Sequence, residues 1–337
     1  MTEDRAKGRS GESDGLARLV RAAGRRPEPP PGAYEEALAA ATAAWQKKVA
    51  RRRLRRQLEG GATAAVLVCG IALVALFRPE PTMVAQTDRV VGRVEWQATA
   101  GAGWSPLAIT VDEGLAPGVR LRTAEDGYAG LRMLDGSSLR LAPGSEIELT
   151  SEREVTLVSG KLYVDSGRPV SNPETPLQIV TEVGRAVEVG TQYEISYGPE
   201  RSYRLRVREG LVRLLRHDAT MESSAGEELL ITAGGEISES PIDPAADSWD
   251  WIFAVAPVPV VDSRPVTLLL EWVARETGRP LRYAPPRLRE RAMRTTLHGR
   301  IGALTPLEAL GVLLATTDLE YAILEDGTIE VRTRNGT

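Results

Sequence analysis

Residues 131–149 read LRMLDGSSLRLAPGSEIEL, and their spacing decides the fold of the centre of the chain. Leu131 and Met133 alternate with polar neighbours, Asp135-Gly136 supplies a hairpin turn, and Leu139 and Leu141 resume the alternation. Pro143-Gly144 breaks the run before Ile147 and Leu149 take it up again. A period of two gives each strand one apolar and one polar face, which a helix cannot do with these residues.

The same pattern extends towards the carboxy terminus. Val155 and Leu157, then Leu162 and Val164, follow the breaks at Ser151–Glu154 and Ser159-Gly160. Further on come Val187 and Val189, Tyr193 and Ile195, Leu205 and Val207, and Val212 and Leu214, with Glu209-Gly210 as another tight turn. Gly184, Gly190 and Gly210 lie in strand context and read as bulges or turns. Short strands at this spacing predict an all-β domain over residues 79–240, either a sandwich or an irregular solenoid of short strands. Pro241, Pro244, Pro257 and Pro259 then punctuate a linker over 241–259. Its Trp249, Trp251 and Phe253 suit either a domain junction or stacking on a glycan.

From residue 260 to 334 the period changes again. Residues 265–277 are predicted helical, with Leu268, Leu269, Trp272 and Val273 apolar and Gly278 just past the end. Leu281–Tyr283 and Thr295–His298 read as strands. Thr305-Pro306-Leu307-Glu308 is a capping box with proline at the first helical position, opening a helix that carries Leu307, Leu310, Leu313 and Leu314. Glu320–Leu324, Asp326-Gly327 and Thr328–Val331 form a closing hairpin. The expectation is a small α+β domain made of two β-α-β units.

The amino-terminal part differs in charge as well as pattern. Residues 1–59 hold 14 Lys+Arg against 8 Asp+Glu, a net of +6, whereas residues 79–337 hold 27 against 38, a net of −11. Between them, Gly60–Phe77 is uncharged, and 18 residues at 1.5 Å each span roughly 27 Å. Arg51, Arg52, Arg53, Arg55 and Arg56 precede it. The chain is therefore expected to be a multi-domain bitopic membrane protein, with one transmembrane helix over 60–78 and its amino terminus in the cytoplasm. A buried core helix and a cleavable leader compete with that reading. The first is disfavoured by the lack of polar residues on any face, the second by the roughly 60 residues that come before.

Within the arm, Leu16, Leu19, Val20 and Ala23 recur at helical spacing up to Gly24. Pro27, Pro29, Pro30 and Pro31 stiffen the connection to a second helix with Tyr34, Leu38, Ala41, Trp45 and Val49 on one stripe. Neither stripe can be buried by so short a segment, so Leu16, Leu19, Val20, Leu38 and Trp45 are the candidate contact residues for a cytoplasmic protein partner. A plain basic tether on anionic lipid is the competing reading.

Nothing in the chain points to catalysis. The two histidines, His217 and His298, sit in ordinary strand surroundings, and the sole cysteine, Cys69, lies in the apolar stretch. No nucleophile elbow, zinc motif, phosphate loop or dinucleotide fingerprint is present. No cofactor or metal is expected, and no nucleic-acid-reading motif accompanies the basic arm.

Four stretches carry a resemblance: LRMLDGSSLRLAPGSEIEL (131–149), VTLVSGKLYVDSG (155–167), VEVGTQYEIS (187–196) and LRVREGLVRLL (205–215). In this order they resemble the FecR domain. TGRPLRY (277–283) and LTPLEALGVLLATTDLEY (304–321) are similar to the short amino-terminal (STN) domain of secretins and TonB-dependent receptors. The resemblance implies an inner-membrane regulator of the anti-sigma type, without enzymatic activity. Its cytoplasmic arm would act on an extracytoplasmic-function sigma factor. Its periplasmic domains would receive a signal from the amino-terminal domain of a TonB-dependent outer-membrane transducer. A second reading, a membrane-anchored periplasmic scaffold or cell-envelope polymer-binding protein with no sigma-factor role, fits the same elements.

Overall fold

A computed structural model describes residues 17–19, 21–22, 24, 30–32, 34–48, 83–107, 114–167, 176–198 and 200–334. The chain divides into two units, Met1–Pro79 and Glu80–Thr337. In the first, residues 34–48 form a helix.

The second unit opens with fifteen strands: β1 (Ala85–Val91), β2 (Val94–Gln97), β3 (Ser105–Pro106), β4 (Gly114–Leu115), β5 (Arg120–Thr123), β6 (Tyr128–Met133), β7 (Ser138–Leu141), β8 (Glu146–Ser151), β9 (Glu154–Asp165), β10 (Gln178–Val180), β11 (Arg185–Tyr197), β12 (Tyr203–Leu215), β13 (Thr220–Ser224), β14 (Glu227–Ile231) and β15 (Ile237–Pro241). All belong to one hydrogen-bonded network, whose main path runs β15-β14-β12-β11-β10-β9-β7-β6-β1-β4. A second arm, β8-β5-β2-β3, leaves from β9. The inward residues of both arms, among them Leu121, Leu131, Leu139, Ile147, Leu162, Ile195 and Leu205, form one apolar core cluster. Each such side chain contributes about 1.5–3 kcal/mol by leaving water.

The long strands change partners midway. Strand β9 pairs with β8 over its first half and with β7 and β11 over its second. Strand β12 pairs with β14 over Tyr203–Val207 and with β13 over Leu211–Leu215. Ser159-Gly160 and Glu209-Gly210, expected as turns, sit at these changeovers inside continuous strands. Gly210 has φ +83°, and a Cβ there would lie 2.6 Å from Thr191 Cγ2. A bulge of this kind bends the strand and lets it switch neighbours while pairing continues.

A 3-10 helix, Asp247–Val255, follows β15. The stretch 241–259, expected as a linker, is thus an ordered connection with Trp249, Ile252 and Val255 buried. Then come β16 (Arg264–Pro265), α1 (Val266–Thr277), β17 (Leu281–Tyr283), α2 (Leu288–Arg294), β18 (Thr296–Leu297), α3 (Pro306–Leu314), β19 (Leu319–Ile323) and β20 (Ile329–Thr333). Helix α1 buries Val266, Leu269, Leu270 and Val273, while Leu268, expected on that stripe, is 39% exposed. At α3 the capping box is present, and the Thr305 backbone N–H donates to Glu308 Oε2 at 2.9 Å. Val261, Leu269, Leu310, Leu313, Ile329 and Val331 belong to a second core, separate from the first.

Two expectations are corrected. The bitopic, membrane-spanning architecture is not what the described residues show. They are mostly β, and no helix among them is long and apolar enough to cross a membrane. The stretch 60–78 itself lies outside the described residues. Nor does the last domain contain two β-α-β units. Strands β16 and β18 pair only with each other, while β17, β20 and β19 form a separate sheet, so α1 and α3 each connect strands of different sheets. Two-residue strands offer too few hydrogen bonds to extend a larger sheet, and an additional helix, α2, stands between them.

Candidate functional site: a buried polar face under the carboxy-terminal helix

Strand alternation that sends Leu139, Leu162, Ile195 and Leu205 into the core sends their neighbours to the opposite face of the sheet. There the register lines up Arg140, Tyr163, Glu194, Arg206 and Glu228 directly opposite one another on β7, β9, β11, β12 and β14. A neighbouring row holds Ser138, Asp165 and Gln192. On a solvated sheet these would be ordinary surface residues. Here Arg140, Tyr163, Glu194 and Gln192 are at most 1% exposed, because the 3-10 helix and the last turn of α1 lie across them.

The last turn of α1 makes the polar contacts. Arg140 donates to both carboxylate oxygens of Glu276, at 2.6 and 2.9 Å. Arg275 Nε donates to the Asp165 carboxylate at 3.0 and 3.1 Å, and its Nη1 reaches Glu209 at 3.3 Å. Gln192 Nε2 bonds Asp165 at 2.9 Å and the Arg275 carbonyl at 3.3 Å. Arg208 donates to the Glu276 carbonyl at 2.8 Å and to the Pro244 carbonyl at 2.6 Å. Burial alone would raise the Asp165 carboxyl, but the hydrogen bonds and charge of Arg275, helped by Arg140 and Gln192, hold it below the usual carboxylate range.

Gly278 ends the helix at φ +65°, in the left-handed region that favours glycine. A Cβ there would stand 2.3 Å from the Pro244 oxygen and 2.4 Å from Arg208 Nε, so the helix end approaches the β domain closer than any side chain allows.

Trp249 supplies the apolar part of the junction. It is fully buried, with its ring edge-on to Tyr163 at 6.1 Å and the Arg206 guanidinium 4.1 Å above it. Trp251 donates to Glu194 at 2.9 Å. These two tryptophans therefore pack and bond within the protein, the junction role of the two weighed from the sequence.

The sequence-derived contact residues lie elsewhere. Leu38 and Trp45 are 56% and 66% exposed on the helix at 34–48, and Leu19 is exposed too. Leu16 and Val20 lie outside the described residues. His217 and His298 are exposed, and among the described residues no cluster of three or more His, Cys, Asp or Glu is placed to hold a metal ion. Sequence reasoning missed the charged face because a strand position facing away from the core looks the same whether water or another layer covers it. The available signal was the aromatic cluster at 249–253, which needs a surface to pack on.

The site is thus a sheet whose polar face is covered by the 3-10 helix and the last turn of α1. Residues 119–213, on this β domain, match the family model described as FecR protein. Two crystal structures of a candidate anti-sigma factor from Parabacteroides distasonis ATCC 8503 are similar at 16% identity, covering 64% of this chain and 98% of that one, with a TM-score of 0.36. So slight a likeness assigns neither the fold nor a role. No curated protein matches the chain.

Proposed function

We propose that this chain is a regulator of the anti-sigma type, in which residues 1–59 engage an extracytoplasmic-function sigma factor. The observation that carries the reading is the FecR match over 119–213, joined to an amino-terminal helix that displays Tyr34, Leu38 and Trp45 to solvent at spacings of four and seven residues. Such a stripe fits a groove on a protein partner. The input, on this reading, comes from the amino-terminal domain of a TonB-dependent outer-membrane transducer. It is received by the last domain, which we read as STN-type from residues 277–283 and 304–321. We place the protein at the bacterial inner membrane, with residues 1–59 facing the cytoplasm and residues from 79 onward facing the periplasm. The charge difference between the two parts supports this placement. The relay is one of protein contacts, with no covalent step by this chain.

The test is co-purification of the full chain with the sigma factor encoded beside it, using wild type and the Leu38→Ala/Trp45→Ala double variant. The reading requires retention by wild type and loss by the variant. Retention by both, or by neither, overturns it.

A further inference from the structure

A cavity of about 370 Å³ lies between the β domain, the 3-10 helix and the carboxy-terminal domain. Its charged lining is Arg89, Arg208 and Arg279 together with Asp247 and Asp250. Among the described residues none of these five is ion-paired, although most of the other arginines of the β domain have a carboxylate partner. Arg208 is already held by two carbonyls. Arg279 is not: its Nε is buried with no partner among the described residues, and its Nη1 reaches only the Gly327 carbonyl, at 3.4 Å. A buried donor without an acceptor is costly, and its natural complement is an anionic oxygen.

The same cavity also carries the opposite charge. Asp247 and Asp250 share the first turn of the 3-10 helix. Partial burial, then the nearby Asp247 charge, pushes the Asp250 carboxyl up, while the Arg208 and Arg279 charges act in the other direction without pairing with it. The remaining lining includes Phe253 and Trp272, and the Trp272 ring is fixed by its bond to the Pro257 carbonyl at 3.0 Å. One cavity thus offers cations, acids and an apolar wall, in a volume within the usual range for small-molecule sites.

We propose that this cavity binds a free amino acid or dipeptide with an apolar side chain. Its carboxylate lies on Arg279 and Arg89, its ammonium on Asp247 and Asp250, and its side chain on Phe253 and Trp272. The walls come from three segments, and Arg208 and Thr277 belong both to the cavity and to the docked helix end. A ligand here therefore favours the docked arrangement of the two domains by its differential affinity. The inference goes beyond the sigma-factor reading and is independent of it, because binding is measured on the chain alone.

The test is calorimetric titration of the full chain with L-leucine and L-leucyl-L-leucine, against N-acetyl-L-leucine and L-leucinamide, each of which lacks one charge. At least one zwitterion is expected to bind in the millimolar range or tighter, and each blocked derivative about tenfold more weakly. Arg279→Ala and Asp250→Asn are each expected to weaken binding about tenfold. Asp250 is exposed, so its variant keeps the fold and carries the test if Arg279→Ala does not. No binding by either zwitterion, equal binding of the blocked derivatives, or unchanged binding by Asp250→Asn overturns the proposal.

Discussion

Arg140 and Glu276, 136 residues apart in the chain, form a bidentate ion pair in which the side chains are 0% and 3% exposed. Neither charge can reach water while the domains are docked. Removing one partner leaves the other buried and uncompensated, at a cost of about 3–5 kcal/mol. Arg140→Ala and Glu276→Ala are each expected to lower stability by that amount in guanidinium chloride unfolding. The double variant Arg140→Met/Glu276→Leu removes both desolvation costs and is expected to recover most of the loss. Single variants costing under about 1 kcal/mol would show that the pair is hydrated in solution.

Gly278 gives a test of docking that involves no charge. Alanine at φ +65° costs about 1 kcal/mol by itself. Its Cβ would also collide with the Pro244 oxygen, which is backbone and cannot swing aside. Gly278→Ala is therefore expected to separate the helix end from the β domain while both cores stay folded. Hydrogen exchange checks this: amides around residues 274–279 should lose protection, while those of β9, β11 and β12 keep theirs. Uniform protection, equal to wild type, would count against the close approach.

Much of the fold was legible because period-two alternation and turn chemistry agree along residues 131–215. Leu131, Leu139, Ile147, Leu162 and Leu205 read as core from the sequence and are buried. The capping box at Thr305–Glu308 and the glycine stop at Gly278 were legible for the same reason, since each is a local requirement of a helix end. What local pattern could not show was which polar residues would be covered. Arg140, Asp165 and Arg208 have the spacing of solvent-facing residues, and only the docking of residues 247–278 buries them. Likewise Gly160 and Gly210 read as turns, because positive φ serves a bulge and a turn alike. The exposed Leu38 and Trp45 were legible as a stripe, since their short segment offers nothing to cover them.

Trp249 and Trp251, two positions apart, are expected to behave differently. Trp249 is fully buried against Tyr163 and Ile252 with two guanidinium groups over its ring. Trp249→Ala should cost about 3–5 kcal/mol through the cavity and the lost contacts. Trp251 is half-buried, and Glu194 retains Arg206 at 3.5 Å and Lys161 at 3.8 Å when the indole is removed. Trp251→Ala should therefore cost only about 1 kcal/mol. Thermal unfolding of the two variants side by side checks the ranking, and equal losses would mean that the junction is not centred on Trp249.

Glu188 makes stability depend on pH in a direction opposite to carboxylates that a cation holds low, such as Asp165. It is 6% exposed, and it accepts a hydrogen bond from Thr191 Oγ1 at 3.1 Å. Burial first, then the charges of Asp135 and Asp165, push its carboxyl up to about 7 from an ordinary 4.5. Between those values the folded chain keeps a proton that the unfolded chain has released. Stability is thus lost as pH rises from 4.5 to about 7 and levels off above, by about 3 kcal/mol at most. Asp165, held low by Arg275, acts in the other direction and only below the ordinary carboxylate range, where stability falls as pH falls. Glu188→Gln keeps a hydrogen-bond acceptor for Thr191 and removes the titration. Unfolding midpoints measured across this window should slope downward for wild type and run flat for the variant. A wild-type profile already flat there would mean that Glu188 is ionised and solvated in the folded protein.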